Sequence, residues 1–97
     1  MNYLIHSPND LGLLLRAVRK SENVRQDDLA ATVGVSKQFA SDVENGKPTA
    51  QIGLVLKLLQ EAGVTLSADI PDAAVQEFDR LKSIKAERNA AAHQANA

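Results

Sequence analysis

Apolar residues recur at Leu11, Leu14, Leu15 and Val18, the spacing of a single buried helical face. Ser7-Pro8-Asn9-Asp10 stands just before them. The serine is a favoured cap, proline fits the first helical position, and the following acid resembles the far side of a capping box. This pattern predicts a first helix ending around Ser21 to Asn23. Arg16, Arg19 and Lys20 lie off its apolar face, near the end where cations suit the helix dipole. Leu29, Ala30 and Val33 mark the inner face of a short second helix over Gln26–Val33, with Asp27 and Asp28 in its first turn. Gly34 follows, and a glycine there closes a helix in the left-handed conformation and redirects the chain. Ser36 is the next expected cap, for a third helix over Lys37–Asn45 that Gly46 ends. Pro48-Thr49 restarts the chain. Ile52, Val55, Leu56, Leu58 and Leu59 make the fourth helix the most apolar of all, expected at the centre of the core and closed by Gly63.

Beyond Gly63 the period changes. Val64, Leu66, Ala68 and Ile70 alternate with Thr65, Ser67 and Asp69, which predicts a half-buried strand over 64–70 that stops at Pro71. A lone strand is not stable. Its partner is therefore either the short Tyr3-Leu4-Ile5 stretch or the same strand of a second copy, so Val64, Leu66, Ala68 and Ile70 are candidate dimerisation residues. Val75, Phe78, Leu81 and Ile84 return to helical spacing and predict a helix over Asp72–Arg88, with Asn89 to Ala97 frayed. The stripe on this helix is narrow: it serves either to dock on the chain's own core or to meet a partner. The expected organisation is a domain over 1–71 that includes the strand, followed by a helical tail over 72–97.

With 97 residues there is room for one domain and a short appendage. The aliphatic composition, with two Phe, one Tyr and no Trp, suits helix packing. The absence of cysteine excludes disulfides and thiolate chemistry. No apolar run has the length of a membrane span, and Met1 to His6 lacks the features of a secretory signal, so a cytoplasmic location is expected. His6 and His93 stand at opposite ends, and neither has the clustered partners of a metal site. No nucleophile–base grouping and no phosphate-binding glycine loop occurs, so no enzyme activity and no cofactor are expected. A net charge of −1 argues against non-specific coating of nucleic acid, but a sequence reader needs only a local basic face.

Two short helices joined by a tight glycine turn, as over Gln26–Asn45, form a helix-turn-helix unit. The major groove is about as wide as one helix, so the second helix can enter while the first crosses the backbone. Ala40 and Val43, with Val35 of the turn, are expected to face the core. Ser36, Lys37, Gln38 and Ser41 then form the opposite edge and are the candidate base-reading residues. Gln suits an adenine edge, Lys a guanine, and Ser adapts to several partners. Seen without its neighbours, this edge is an ordinary solvated polar face. Arg25, Gln26, Lys47 and Thr49 flank it as candidate phosphate contacts. Lys47 is equally a solvated loop cation, and Thr49 a helix cap.

Three segments carry a family likeness: Gln26-Asp27-Asp28-Leu29-Ala30, Val33-Gly34-Val35-Ser36 and Val43-Glu44-Asn45-Gly46-Lys47. Together they resemble the core pattern of the Xre/Cro-type helix-turn-helix repressors, over roughly residues 8 to 63. The resemblance implies an all-α, five-helix, lambda-repressor-like fold, a phosphate contact for Gln26 and a helix-packing role for Glu44. Arg25 departs from the pattern where a Thr or Ser cap is usual, which costs about 1 kcal/mol of capping but offers a cation to a phosphate. The added strand over 64–70 is similar to that of HipB-type antitoxins. That second likeness implies a homodimer on operator DNA, joined through the strand, in an autoregulating toxin–antitoxin module with a HipA-like kinase toxin as partner. A simple phage-like repressor and a protein-interaction module that grips a partner through residues 64–97 are the alternatives.

Overall fold

Ser7 fixes the start of the first helix, α1 (Pro8–Ser21): its hydroxyl accepts from the Asp10 N–H at 3.1 Å. The Asp10 carboxylate in turn accepts from the His6 N–H at 3.1 Å, so the reciprocal bond closes one residue outside the cap. This computed structural model describes residues 1–95. The helix ends through Asn23, which takes a left-handed φ of 59° while the Val24 N–H donates to the Arg19 carbonyl at 3.0 Å. Asparagine tolerates that conformation better than most residues. Then come α2 (Gln26–Val33), α3 (Lys37–Glu44), α4 (Ile52–Glu61) and α5 (Asp72–Ala95).

The chain divides into a unit over Met1–Leu66 and a second over Ser67–Ala97. In the first, α1 packs on α3, and α2 packs on both α3 and α4. Leu15, Leu29, Val43, Val55, Leu58 and Leu59 form the core, with Leu11, Val24, Val33, Val35, Phe39 and Val64 against its edge. Burying each large aliphatic side chain stabilises by about 1.5–3 kcal/mol. Gly12 is buried where α1 meets α3: a Cβ there would lie 2.6 Å from the Glu44 carbonyl oxygen. Only glycine lets the two backbones approach so closely.

Two sequence expectations need correction, and the central place of α4 in the core holds for one face only. Thr49 does not cap α4. It sits in a turn, and the helix starts later, with the Gln51 side chain accepting from the Leu54 N–H at 2.7 Å. The most apolar helix also buries only part of its surface. Val55, Leu58 and Leu59 are in the core, whereas Ile52 and Leu56 are exposed because they lie on a second stripe. Finally, no strand forms among the described residues. Val64 packs against the core of its own chain, while Leu66, Ala68 and Ile70 are exposed in backbone without ladder hydrogen bonds. The alternation there is real, but a ladder needs a second strand, and the N-terminal segment does not supply one.

The second unit consists largely of α5. It continues past the expected end at Arg88 to Ala95, since Ala90, Ala91 and Ala92 favour helix over fraying. The rest of the expected frayed end, residues 96–97, lies outside the described residues. Val75, Phe78 and Leu81 are exposed. Arg80 hydrogen-bonds Glu77 one turn back and holds that carboxyl below its usual range. Among the described residues no helix is long and apolar enough to cross a membrane.

Candidate nucleic-acid interface

The turn between α2 and α3 is set by Gly34, at φ 85° and ψ 28°. Its N–H donates to the Ala30 carbonyl at 3.0 Å, and so does the N–H of Val35. Two bonds onto one carbonyl close α2 and swing the chain sharply; a side chain at that φ would be strained. Val35 then tucks against the core, and the Ser36 hydroxyl accepts from the Phe39 N–H at 3.0 Å to start α3. Ala40 is fully buried and Val43 nearly so, which seats α3 by one face.

That seating leaves Ser36, Lys37 and Gln38 exposed and Ser41 half-buried, so the polar edge lies on the outside as its sequence position implies. Lys37 meets no hydrogen-bonding partner among the described residues. Gln38 donates from Nε2 to Asp42 Oδ1 at 2.8 Å, and Asn45 Nδ2 donates to Ser41 Oγ at 3.4 Å. Of the flanking candidates, Arg25 is exposed and pairs with Asp27 at 3.1 Å. It stands at the α2 cap position without making a side-chain cap bond, as its departure from Thr or Ser implies. Gln26 is half-buried at the helix start. Lys47 and Thr49 are exposed beyond α3, with Lys47 Nζ 3.5 Å from Asp42 Oδ2.

Glu44 has a structural role of a specific kind. It is 3% exposed, yet Arg19 reaches it with two nitrogens, Nε to Oε2 at 2.8 Å and Nη2 to Oε1 at 2.9 Å. Arg19 Nη1 also donates to the Val24 carbonyl at 2.9 Å, and Arg16 approaches Glu44 at 3.6 Å. One guanidinium thus ties α1, the loop after it and the end of α3 together. The Glu44 hydrogen bonds hold Arg19 above its usual pKa against the opposing effect of burial. Arg19 is therefore not the exposed dipole cation that its place near the end of α1 implies. The available signal was Glu44 itself: an acid beside a buried valine needs a cation, and α1 offered three.

As an acid, Asp42 is expected to stay away from phosphate; what the sequence does not announce is that Asp42 and Asn45 hold the polar edge in place. Asp42 lies between Gln38 and Lys47 and binds both; Asn45 supports Ser41. Both pairings within α3 and its cap follow the one-turn spacing that brings helical side chains together.

Two short helices, a left-handed glycine turn and an outward polar edge define a helix-turn-helix unit. The sequence matches the family described as Helix-turn-helix over residues 15–68. A relative from Sinorhizobium fredii, the "Uncharacterized HTH-type transcriptional regulator y4mF", is 51% identical over 67 residues, covering 69% of this chain and 88% of its own length. Among solved structures, the fold is similar to a HipB–O4 20mer complex (TM-score 0.66, 22% identity, 73% of this chain and 100% of that one). It is equally similar to a HipA–HipB–O2–O3 complex (TM-score 0.67, 22% identity, 73% and 100%). The chain belongs to the Xre-like helix-turn-helix family, that of the HTH-type transcriptional regulators.

Proposed function

We propose that the protein is a sequence-specific repressor that binds operator DNA as a homodimer and acts by binding alone, without catalysis. The observation that carries this reading is α3, seated by Ala40 and Val43, with Ser36, Lys37, Gln38 and Ser41 on its outer edge. Those side chains would enter the major groove, while Arg25, Gln26, Lys47 and Thr49 would contact phosphates on either side. The net charge of −1 is compatible with this role, because a sequence reader needs only a local basic face and Arg25, Lys37 and Lys47 are exposed on and beside α3.

Two copies would place their reading helices about 34 Å apart, one turn of duplex, and so favour a palindromic site. The exposed Ile52 and Leu56 in the first unit supply apolar surface for a second copy to cover. Pairing of the 64–70 segments across a twofold axis would itself use Leu66, Ala68 and Ile70, whereas Val64 packs against the core of its own subunit.

The most specific role is that of an autoregulating antitoxin with a HipA-like kinase toxin. Its support is the similarity to HipB, solved with HipA and with an O4 20mer. The exposed Val75, Phe78 and Leu81 of α5 favour a protein contact in addition to DNA, whether with the toxin or a second copy. A phage-like repressor shares the DNA-binding half of this account and lacks the toxin.

In a mobility-shift titration against the protein's own promoter, Lys37→Ala or Gln38→Ala should weaken specific binding by about 1–3 kcal/mol per lost base contact. Binding of the wild-type chain should also fall steeply with salt. Unchanged affinity and selectivity in both variants would remove α3 from the reading role.

A further inference from the structure

We infer that Asp42 is a positioning residue for sequence preference: it fixes the orientation of the Gln38 amide and holds back the general attraction of Lys47 for DNA. This rests on the DNA-reading role of α3 proposed above. One carboxylate meets both partners. Oδ1 accepts from Gln38 Nε2 at 2.8 Å, and Oδ2 lies 3.5 Å from Lys47 Nζ. The Lys47 backbone N–H donates to the Asp42 carbonyl at 3.0 Å, so the loop after α3 is folded onto the same residue.

A carboxylate can only accept hydrogen bonds. The amide nitrogen of Gln38, not its oxygen, must therefore face Asp42. An unrestrained glutamine offers its amide in either sense, and the two senses suit different base edges. Held by Asp42, Gln38 retains one N–H and Oε1, for neither of which is there a partner among the described residues. One donor beside one acceptor is what the adenine edge requires, N7 accepting and N6 donating. Fixing the amide in the free protein also removes rotamer freedom that would otherwise be lost on binding.

The second effect is electrostatic. Asp42 places a negative charge beside the groove-facing edge and an ion-pair partner beside Lys47, and both oppose phosphate binding. Generic affinity is the sequence-independent part of DNA binding. Lowering it while improving one base contact raises the ratio of specific to non-specific binding.

The test is selection of binding sites from a random duplex pool by the full chain. Affinity for the selected duplex and a scrambled one is then measured over a salt series for wild type, Gln38→Ala, Asp42→Ala, Asp42→Asn and the double Gln38→Ala/Asp42→Ala variant. Gln38→Ala should lose preference at one A·T position. Asp42→Ala should lose about tenfold at that same position, within the range a bidentate base contact supplies, while binding the scrambled duplex more tightly. Asp42→Asn keeps an acceptor for Gln38, so it should retain the preference while sharing the gain in generic affinity. Both Asp42 variants should show a steeper salt slope, by no more than about 0.9, the value for one fully neutralised phosphate, as Lys47 meets its phosphate without a competing ion pair. The double variant should lose no more at that position than Gln38→Ala alone, because the two residues act as one unit.

Undiminished preference in Asp42→Ala overturns the inference. So does a loss spread evenly over all positions with a lowered melting temperature, which makes Asp42 structural. Loss of a cytosine preference in both Asp42 variants also overturns it, since Asp42 would then touch the base itself. A wild-type chain that selects no sequence removes the DNA-reading role and this inference with it, an outcome distinct from each of the others.

Discussion

At the scale of single residues, the strongest determinants of the site lie beneath it. Glu44 is buried and Arg19 half-buried against it, and each satisfies the other. Glu44→Ala leaves the half-buried Arg19 guanidinium without its carboxylate, which costs about 3 kcal/mol, the low end for breaking a buried pair. For a domain of this size that lowers the melting midpoint by more than about 10 °C; a thermal melt showing a drop of only a degree or two would mean the pair is solvated. Gly12 is a second such determinant, through the space it leaves for the end of α3. Neither role was visible locally. Arg19 and Glu44 are 25 positions apart, and nothing in the spacing of α1 says which of its cations turns inward. The polar edge of α3 was legible because Ala40 and Val43 fix which way the helix faces, and a side chain opposite a buried face must point to solvent.

At the scale of elements, helix starts and stops were legible wherever a side chain or a glycine enforces them locally. Ser7, Ser36 and Gly34 act where the sequence places them. The start of α4 was misplaced because Thr49 and Gln51 can both cap, and the turn over Lys47–Ala50 decides between them. The strand over 64–70 failed for a different reason: alternation specifies which face a strand would bury, not whether a partner exists. Arg25 marks a conflict within one element, since α2 begins without a side-chain cap bond. Arg25→Ser should stabilise the fold by about 0.5–2 kcal/mol through a new cap. The same change should weaken DNA binding and make the salt slope shallower by about 0.9, the loss of one phosphate contact. Denaturant unfolding and a salt-dependent titration check the two halves separately, and a variant improved in stability with an unaltered slope would show that Arg25 does not touch phosphate.

At the scale of the whole molecule, a helical core with an outward α3 leaves much apolar surface uncovered. Ile52 and Leu56 in the first unit, and Phe78 and Leu81 in the second, are exposed in the single chain. That surface accounts for the proposed second copy and protein partner, while the function itself depends on α3 being the part that meets DNA. Mapping amide chemical shifts on an isotopically labelled chain, as its own promoter duplex is added, tests this most directly. The largest changes are expected over Ser36 to Ser41, smaller ones at Arg25, Gln26, Lys47 and Thr49, and little change at the buried Leu58 and Leu59. Saturable binding that leaves Ser36 to Ser41 unmoved, with the changes gathered on α5 instead, would contradict it.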